Sequence, residues 1–178
     1  QRSVPEIFSM MYQVAATVGA GEKGLQLISE IQAKVEAIRA ETRQWPVRPK
    51  VYFEEWDEPP ISAIQWVSEL IGIAGGDDCF PELATQSLGK NRIIADSSEI
   101  VRRNPDIIVG SWCGKKFRPE TVAARAGWGN VSAVKHQQIF EVKSPLILQP
   151  GPAALTDGLA ALHEIIRQWQ TQQHRNGL

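Results

Sequence analysis

The run Asp106-Ile107-Ile108-Val109-Gly110 constrains this chain more than any other stretch. Its β-branched residues come with no polar alternation, so as a strand they have no side to turn to water and must be covered on both faces. Such a strand belongs in the middle of a parallel sheet with helices on either side. The neighbouring sequence supplies the partners. Val51-Tyr52-Phe53 and Gln138 to Val142 read as further strands. Ile61 to Ala74, Asp96 to Asn104 and Pro119 to Ala126 read as the helices between them, the first with Ile61, Ile64, Val67, Ile71 and Ala74 facing inward and Gly75-Gly76 as its stop. Leu155, Leu159, Leu162, Ile166 and Trp169 mark a long final helix. Strands alternating with helices predict an α/β three-layer sandwich around a mostly parallel sheet.

Two helices come first. Ser3 reads as an N-cap, Pro5 sits in the first turn, and Glu6 is expected to close a capping box. Val4, Ile7, Phe8, Met11, Ala15 and Val18 form the stripe of this helix, which ends at Gly19 to Gly21. A second helix is expected from Glu22 to Arg43, with Leu25, Ile28, Ile31, Val35 and Ile38 as its stripe. At about 1.5 Å per residue it is roughly 33 Å long, which suits a strut better than a crossover.

Composition narrows the partners. With 178 residues, 43% hydrophobic, the chain can bury the core of one globular domain. A net charge of −1 without long basic runs argues against nucleic acid or a membrane surface. The start, QRSVPEIF, lacks the order of a signal peptide and does not begin with Met, so the natural chain is expected to extend upstream. Cys79 and Cys113 are too far apart for CxxC chemistry, and both are expected to be free thiols.

Ligands of open parallel sheets bind beyond the carboxyl ends of the strands. Glu54-Glu55-Trp56-Asp57-Glu58 occupies one such end, with Pro59-Pro60 expected to restart the chain as a helix. Ser111-Trp112-Cys113-Gly114-Lys115-Lys116-Phe117-Arg118 occupies another. Trp56 and Trp112 then form two walls for a large, flat or apolar ligand, or each caps the sheet against a loop. Cys113 beside Lys115 suggests a nucleophile, giving a rival reading as a stand-alone flavodoxin-like enzyme with Glu55 or Asp57 as base. Its only imidazole partners are His136, His163 and His174, none well placed, and GxSxG is missing, so an inert thiol and no catalysis is the better reading. The scattered histidines give no metal spacing. GAGEKG at Gly19 to Gly24 follows a helix rather than a strand and fails as a dinucleotide loop. Asp96-Ser97-Ser98-Glu99 reads as another capping box.

Three segments carry a family resemblance: RPKVYFEEWDEPPISAIQWVSELIGIAGGDDCF, SSEIVRRNPDIIVGSWCGKKFRPE and IFEVKSPLILQPGPAALTDGLAAL. Together they resemble the C-terminal lobe of class III extracytoplasmic substrate-binding proteins of ABC importers, nearest to the cobalamin-binding branch. The resemblance implies two α/β lobes bridged by a long helix, with the ligand clamped between them. Residues 1–45 then correspond to the end of the first lobe and the inter-lobe helix, and residues 46–178 to the C-terminal lobe, the N-terminal lobe being absent. It implies a ligand face built from Glu55, Trp56, Asp57, Trp112, Cys113 and Lys115, and a docking role for Glu99 against an arginine of the permease. Cobalamin or a related corrinoid is the implied ligand, with haem or a siderophore as the alternative on the same fold. Ser144-Pro145-Leu146-Ile147-Leu148-Gln149 departs from the pattern, supplying neither the acid nor the arginine that cobalamin binders place there. The implied partners are a permease–ATPase complex and the missing lobe, with self-association through the uncovered face. The implied location is extracytoplasmic, in the periplasm or on a lipid anchor.

Overall fold

The computed structural model describes residues 1–175. Helix α1 (Val4–Thr17) starts at Ser3, whose hydroxyl accepts from the Glu6 amide at 3.3 Å. The expected box is one-sided, because the Glu6 carboxylate takes the Arg2 amide at 2.7 Å instead of the Ser3 amide. Helix α2 (Gly21–Thr42) packs antiparallel to it. The two approach closely where both are small: a Cβ on Gly24 would lie 2.3 Å from the Cβ of Ala15. Only the half of each stripe nearest the sheet is buried. Val4, Ile7 and Met11 of α1 and Ile28, Ile31 and Val35 of α2 are inside, whereas Val18 and Leu25, expected on the same stripes, are 70% and 54% exposed.

The sheet is built on β1 (Lys50–Asp57) and β4 (Ile107–Gly110), paired in parallel from Val51↔Ile107 to Glu54↔Gly110. β5 (Ile139–Glu141) adds in parallel beyond β4. On the other edge of β1, β3 (Asp77–Asp78) pairs in parallel with its start and β2 (Pro60–Ser62) antiparallel with its end. Here the expectation of a helix from Ile61 fails. β1 runs on to Asp57 and turns back through a cis Glu58–Pro59 peptide, so that Trp56 faces Ile61 and Asp57 faces Pro60. Ile61 then bridges Ile93, and helix α3 (Gln65–Ile73) begins only after the hairpin. The apolar spacing of Ile61 and Ile64 imitated a helical face while serving an extended segment.

Strand alternation sorts the interior into two cores. Val51, Phe53, Ile107 and Val109 face α1, α2, α3 and the last helix α9 (Leu159–Arg175). Tyr52 and Ile108 face the other way, toward Phe80, Ile94, Ile100, Trp112, Phe117, Val122 and Trp128. That second layer is made of short pieces: α4 (Pro81–Ala84), α5 (Ser98–Arg103), α6 (Pro119–Ala123) and α7 (Ser132–Lys135). Each fully buried Val, Ile or Phe contributes about 1.5–3 kcal/mol. Helices cover a mostly parallel sheet on both faces, as the alternating pattern predicts. After β5, α8 (Ser144–Ile147) leads into a π-helical turn, Ala154–Gly158, that opens the final helix. Gly158 is needed there, since a Cβ would sit 2.7 Å from the Leu146 carbonyl oxygen.

Candidate functional site

The carboxyl ends of β1 and β4 meet two loops, and three ion pairs organise that rim. Glu54, on the face of β1 that meets the second core, is 0% exposed. Its carboxylate accepts from the Tyr52 hydroxyl at 2.8 Å, the Trp112 indole at 3.1 Å, and both terminal nitrogens of Arg125 at 2.6 and 2.9 Å. A buried carboxylate is tolerated when paired and saturated in this way. Burial first, and Glu54 second, push the Tyr52 phenol well above its ordinary value, so it stays a donor. Arg125 also stacks over Trp128 at 4.7 Å, which ties the segment after α6 to the rim.

Glu55 lies where the β1–β2 register shifts, between Glu54 and Trp56. It meets Arg92, whose Nη1 lies 2.6 Å and Nη2 3.1 Å from the two carboxylate oxygens. Arg92 is only 2% exposed and also donates to the Ser62 carbonyl, while its Nε has no partner. Trp56 is half-buried, and its Nε1 donates across the hairpin to the Glu58 carbonyl at 2.9 Å. Asp57 pairs through Oδ2 with Lys115 from the β4–α6 loop. The same ammonium lies 5.0 Å from the Trp112 ring and 5.8 Å from the Trp56 ring, so Lys115 bridges the two rim loops.

The two indoles therefore differ. Trp112, expected as a second wall, is buried, with Phe117 packed edge-on at 4.8 Å and Glu54 holding its N–H. Phe117 in turn lies over Gly110, where a Cβ would come within 1.9 Å of its ring. A strand end without a side chain is what lets this aromatic pair fold down on the sheet. Trp56 is the indole that keeps a surface at the rim. Cys113, which follows Trp112 in the β4–α6 loop, is exposed. The histidines considered as its partners are engaged elsewhere: His136 hydrogen-bonds Ser132, and His163 stacks on Trp45 at 5.6 Å and lies 3.4 Å from Glu41. The side chain of His174 lies outside the described residues. Among the described residues, no group of three or more His, Cys, Asp or Glu side chains could hold a metal ion.

Glu99 sits in the first turn of α5. The expected capping box does not form. Asp96 caps the Ser98 amide at 2.9 Å, but Glu99 turns from the backbone to Arg102 at 2.7 Å and Arg103 at 2.8 Å. Guanidiniums three and four residues on outbid a neutral amide, and they hold the Glu99 carboxyl below its usual range, Arg103 contributing most.

Arg92 and Arg125 are the residues that sequence reasoning missed. The signal was indirect: a cluster of carboxylates at a strand end requires cations, and these arginines stand in apolar surroundings, NRIIA and AARAGW. Two clefts of about 540 and 560 Å³ lie away from the rim, the first between α1, α2 and α3 and the second between α1 and α2.

Comparison with known proteins bears on the fold and the family. The chain is 24% identical over 170 residues to an uncharacterized ABC transporter substrate-binding lipoprotein, YvrC, of Bacillus subtilis, a match covering 93% of this chain and 51% of that protein. It thus spans about half the length of that relative. Its fold superposes on IsdE of S. aureus complexed with heme, with a TM-score of 0.74, 16% identity, and coverage of 93% of this chain and 65% of that one. It also superposes on the periplasmic vitamin B12 binding protein BtuF of Vibrio cholerae, with a TM-score of 0.72, 16% identity, and coverage of 96% and 64%. The model of the periplasmic binding protein family matches residues 1–146, and the chain belongs to that family.

Proposed function

We propose that this chain is the C-terminal lobe and inter-lobe helix of the extracytoplasmic substrate-binding component of an ABC importer, and that its rim is half of a ligand clamp. Residues 1–45 bring the end of the first lobe and the strut, and residues 46–178 form the second lobe. The observation that carries the reading is the rim itself: a half-buried indole, Trp56, between ion-paired carboxylates at the carboxyl ends of β1 and β4. One wall of this kind holds a large ligand only against a second wall, which fits a chain that spans 51% of its relative.

A corrinoid is the preferred ligand, because the apolar face of an indole suits a broad macrocycle and vitamin B12 is the ligand named for BtuF. Haem, with which IsdE is complexed, is the second reading on the same fold. Trp56, Glu55, Asp57, Cys113 and Lys115 line the ligand side, and Trp112 supports them from below. Glu99 serves the permease. Titration calorimetry tests the reading. The full chain should bind its macrocycle far more tightly than the 178-residue piece alone, and Trp56→Ala should weaken the full chain about tenfold or more. Equal binding by the piece and the full chain would show that no second wall is involved.

A further inference from the structure

Lys115 holds a position that a seated ligand needs. Its ammonium pairs with Asp57 and lies 5.8 Å from the ring of Trp56. A planar molecule laid on that indole competes with the ammonium for the same face. Moving the ammonium has a consequence for Asp57. That side chain is only 10% exposed, and its second oxygen, Oδ1, is covered and has no hydrogen-bond partner. Stripped of Lys115, it becomes a nearly buried carboxylate without compensation. The two nearby guanidiniums are already committed, Arg92 to Glu55 and Arg125 to Glu54. Whatever replaces the ammonium has to come with the ligand, and since an ionised carboxylate only accepts, the ligand has to donate.

We propose that Lys115 is a placeholder, and that the ligand of this rim is a flat molecule whose edge carries N–H or O–H donors. Those donors replace the ammonium on Asp57 as the flat face seats on Trp56. The proposal rests on the reading of the rim as a ligand wall. It selects an edge of carboxamides or hydroxyls over an edge of carboxylates, which would bring further acceptors to Asp57 and Glu55. The opposite role for the same lysine, staying in place to bind an anionic edge, makes the opposite prediction.

The test uses the full chain, titrated calorimetrically with vitamin B12, whose edge ends in carboxamides, and with haem, whose edge ends in carboxylates. Lys115→Met keeps the apolar stem and removes only the charge. Wild type should prefer vitamin B12, Lys115→Met should bind it severalfold more tightly, and Trp56→Ala should bind it about tenfold more weakly. A Lys115→Met protein that binds vitamin B12 no better than wild type, or a wild type that prefers haem, overturns the placeholder while Trp56→Ala keeps the wall in evidence. Trp56→Ala binding as wild type does overturns the wall itself. Failure of wild type to bind either macrocycle overturns the assigned ligand class.

Discussion

Arg125 grips Glu54 with both terminal nitrogens, at 2.6 and 2.9 Å, at a point where Glu54 has no contact with solvent. The pair joins a strand end to a loop more than sixty positions later in the chain. Breaking one side of such a pair is worse than lacking it, because the remaining charge stays buried. Arg125→Met should therefore destabilise the chain by about 3 kcal/mol, the low end for a buried pair because the guanidinium is 22% exposed. Replacing both residues, Glu54→Leu with Arg125→Met, should cost less than Arg125→Met alone. Urea unfolding checks this, and a double variant less stable than the single one would count against the account.

The two rim indoles should separate cleanly by measurement. Trp112 is 5% exposed and packed on Phe117, so Trp112→Ala should cost about 3–5 kcal/mol. Trp56→Ala should change stability by less than about 1 kcal/mol while reducing ligand affinity, since its ring is only partly covered. Melting curves with a parallel titration read out both quantities. A stability loss at Trp56 as large as at Trp112 would make Trp56 a cap as well.

The two thiols should differ in reactivity by orders of magnitude. Burial first, and then the neighbouring Asp78 carboxylate, push the Cys79 thiol up to about 12, whereas Cys113 is exposed at the rim. Thiolate is the reacting species, so Cys113 should be labelled at pH 8 and Cys79 only after unfolding. Labelling followed by mass measurement, native against denatured, checks it. Two labels on the native chain would refute the buried position of Cys79.

Glu99 should act through charge on a partner and hardly at all on the fold. Its bonds to Arg102 and Arg103 are surface pairs, which contribute little to stability. Glu99→Gln should leave the melting temperature and ligand affinity nearly unchanged yet reduce uptake by a reconstituted transporter. Glu99→Arg should reduce uptake further by opposing like charges across the interface. Normal uptake with the arginine variant would remove Glu99 from the docking surface.

Much of the fold was legible in the chain because periodicity records burial. The Ile107–Val109 run, helix α2 and the final helix all sit where their spacing put them. The β1–β2 hairpin was not legible, because Ile61 and Ile64 carry a helical spacing while Ile61 serves a strand edge. The outer ends of the α1 and α2 stripes misled in another way: Val18 and Leu25 are apolar without being buried. At the rim, position was readable and partnership was not. Glu54, Glu55 and Asp57 announce themselves at a strand end, but nothing in local spacing links them to Arg125, Arg92 and Lys115, which arrive through tertiary contacts. The same limit hid the burial of Trp112.

The α1–α2 hairpin has a consequence for how this sheet can be inherited or transplanted. Ile7, Met11, Ile28, Ile31 and Val35 lie in one core with Val51, Phe53, Ile107 and Val109, so the helical hairpin is part of the wall that keeps water from the sheet. A gene exchange that cut the chain near Pro46, where the linear map suggests a seam, would strip that wall and leave the recipient an open sheet face. Recombination that preserves this core has to break ahead of α1. The helical hairpin and the sheet it covers therefore travel as one unit.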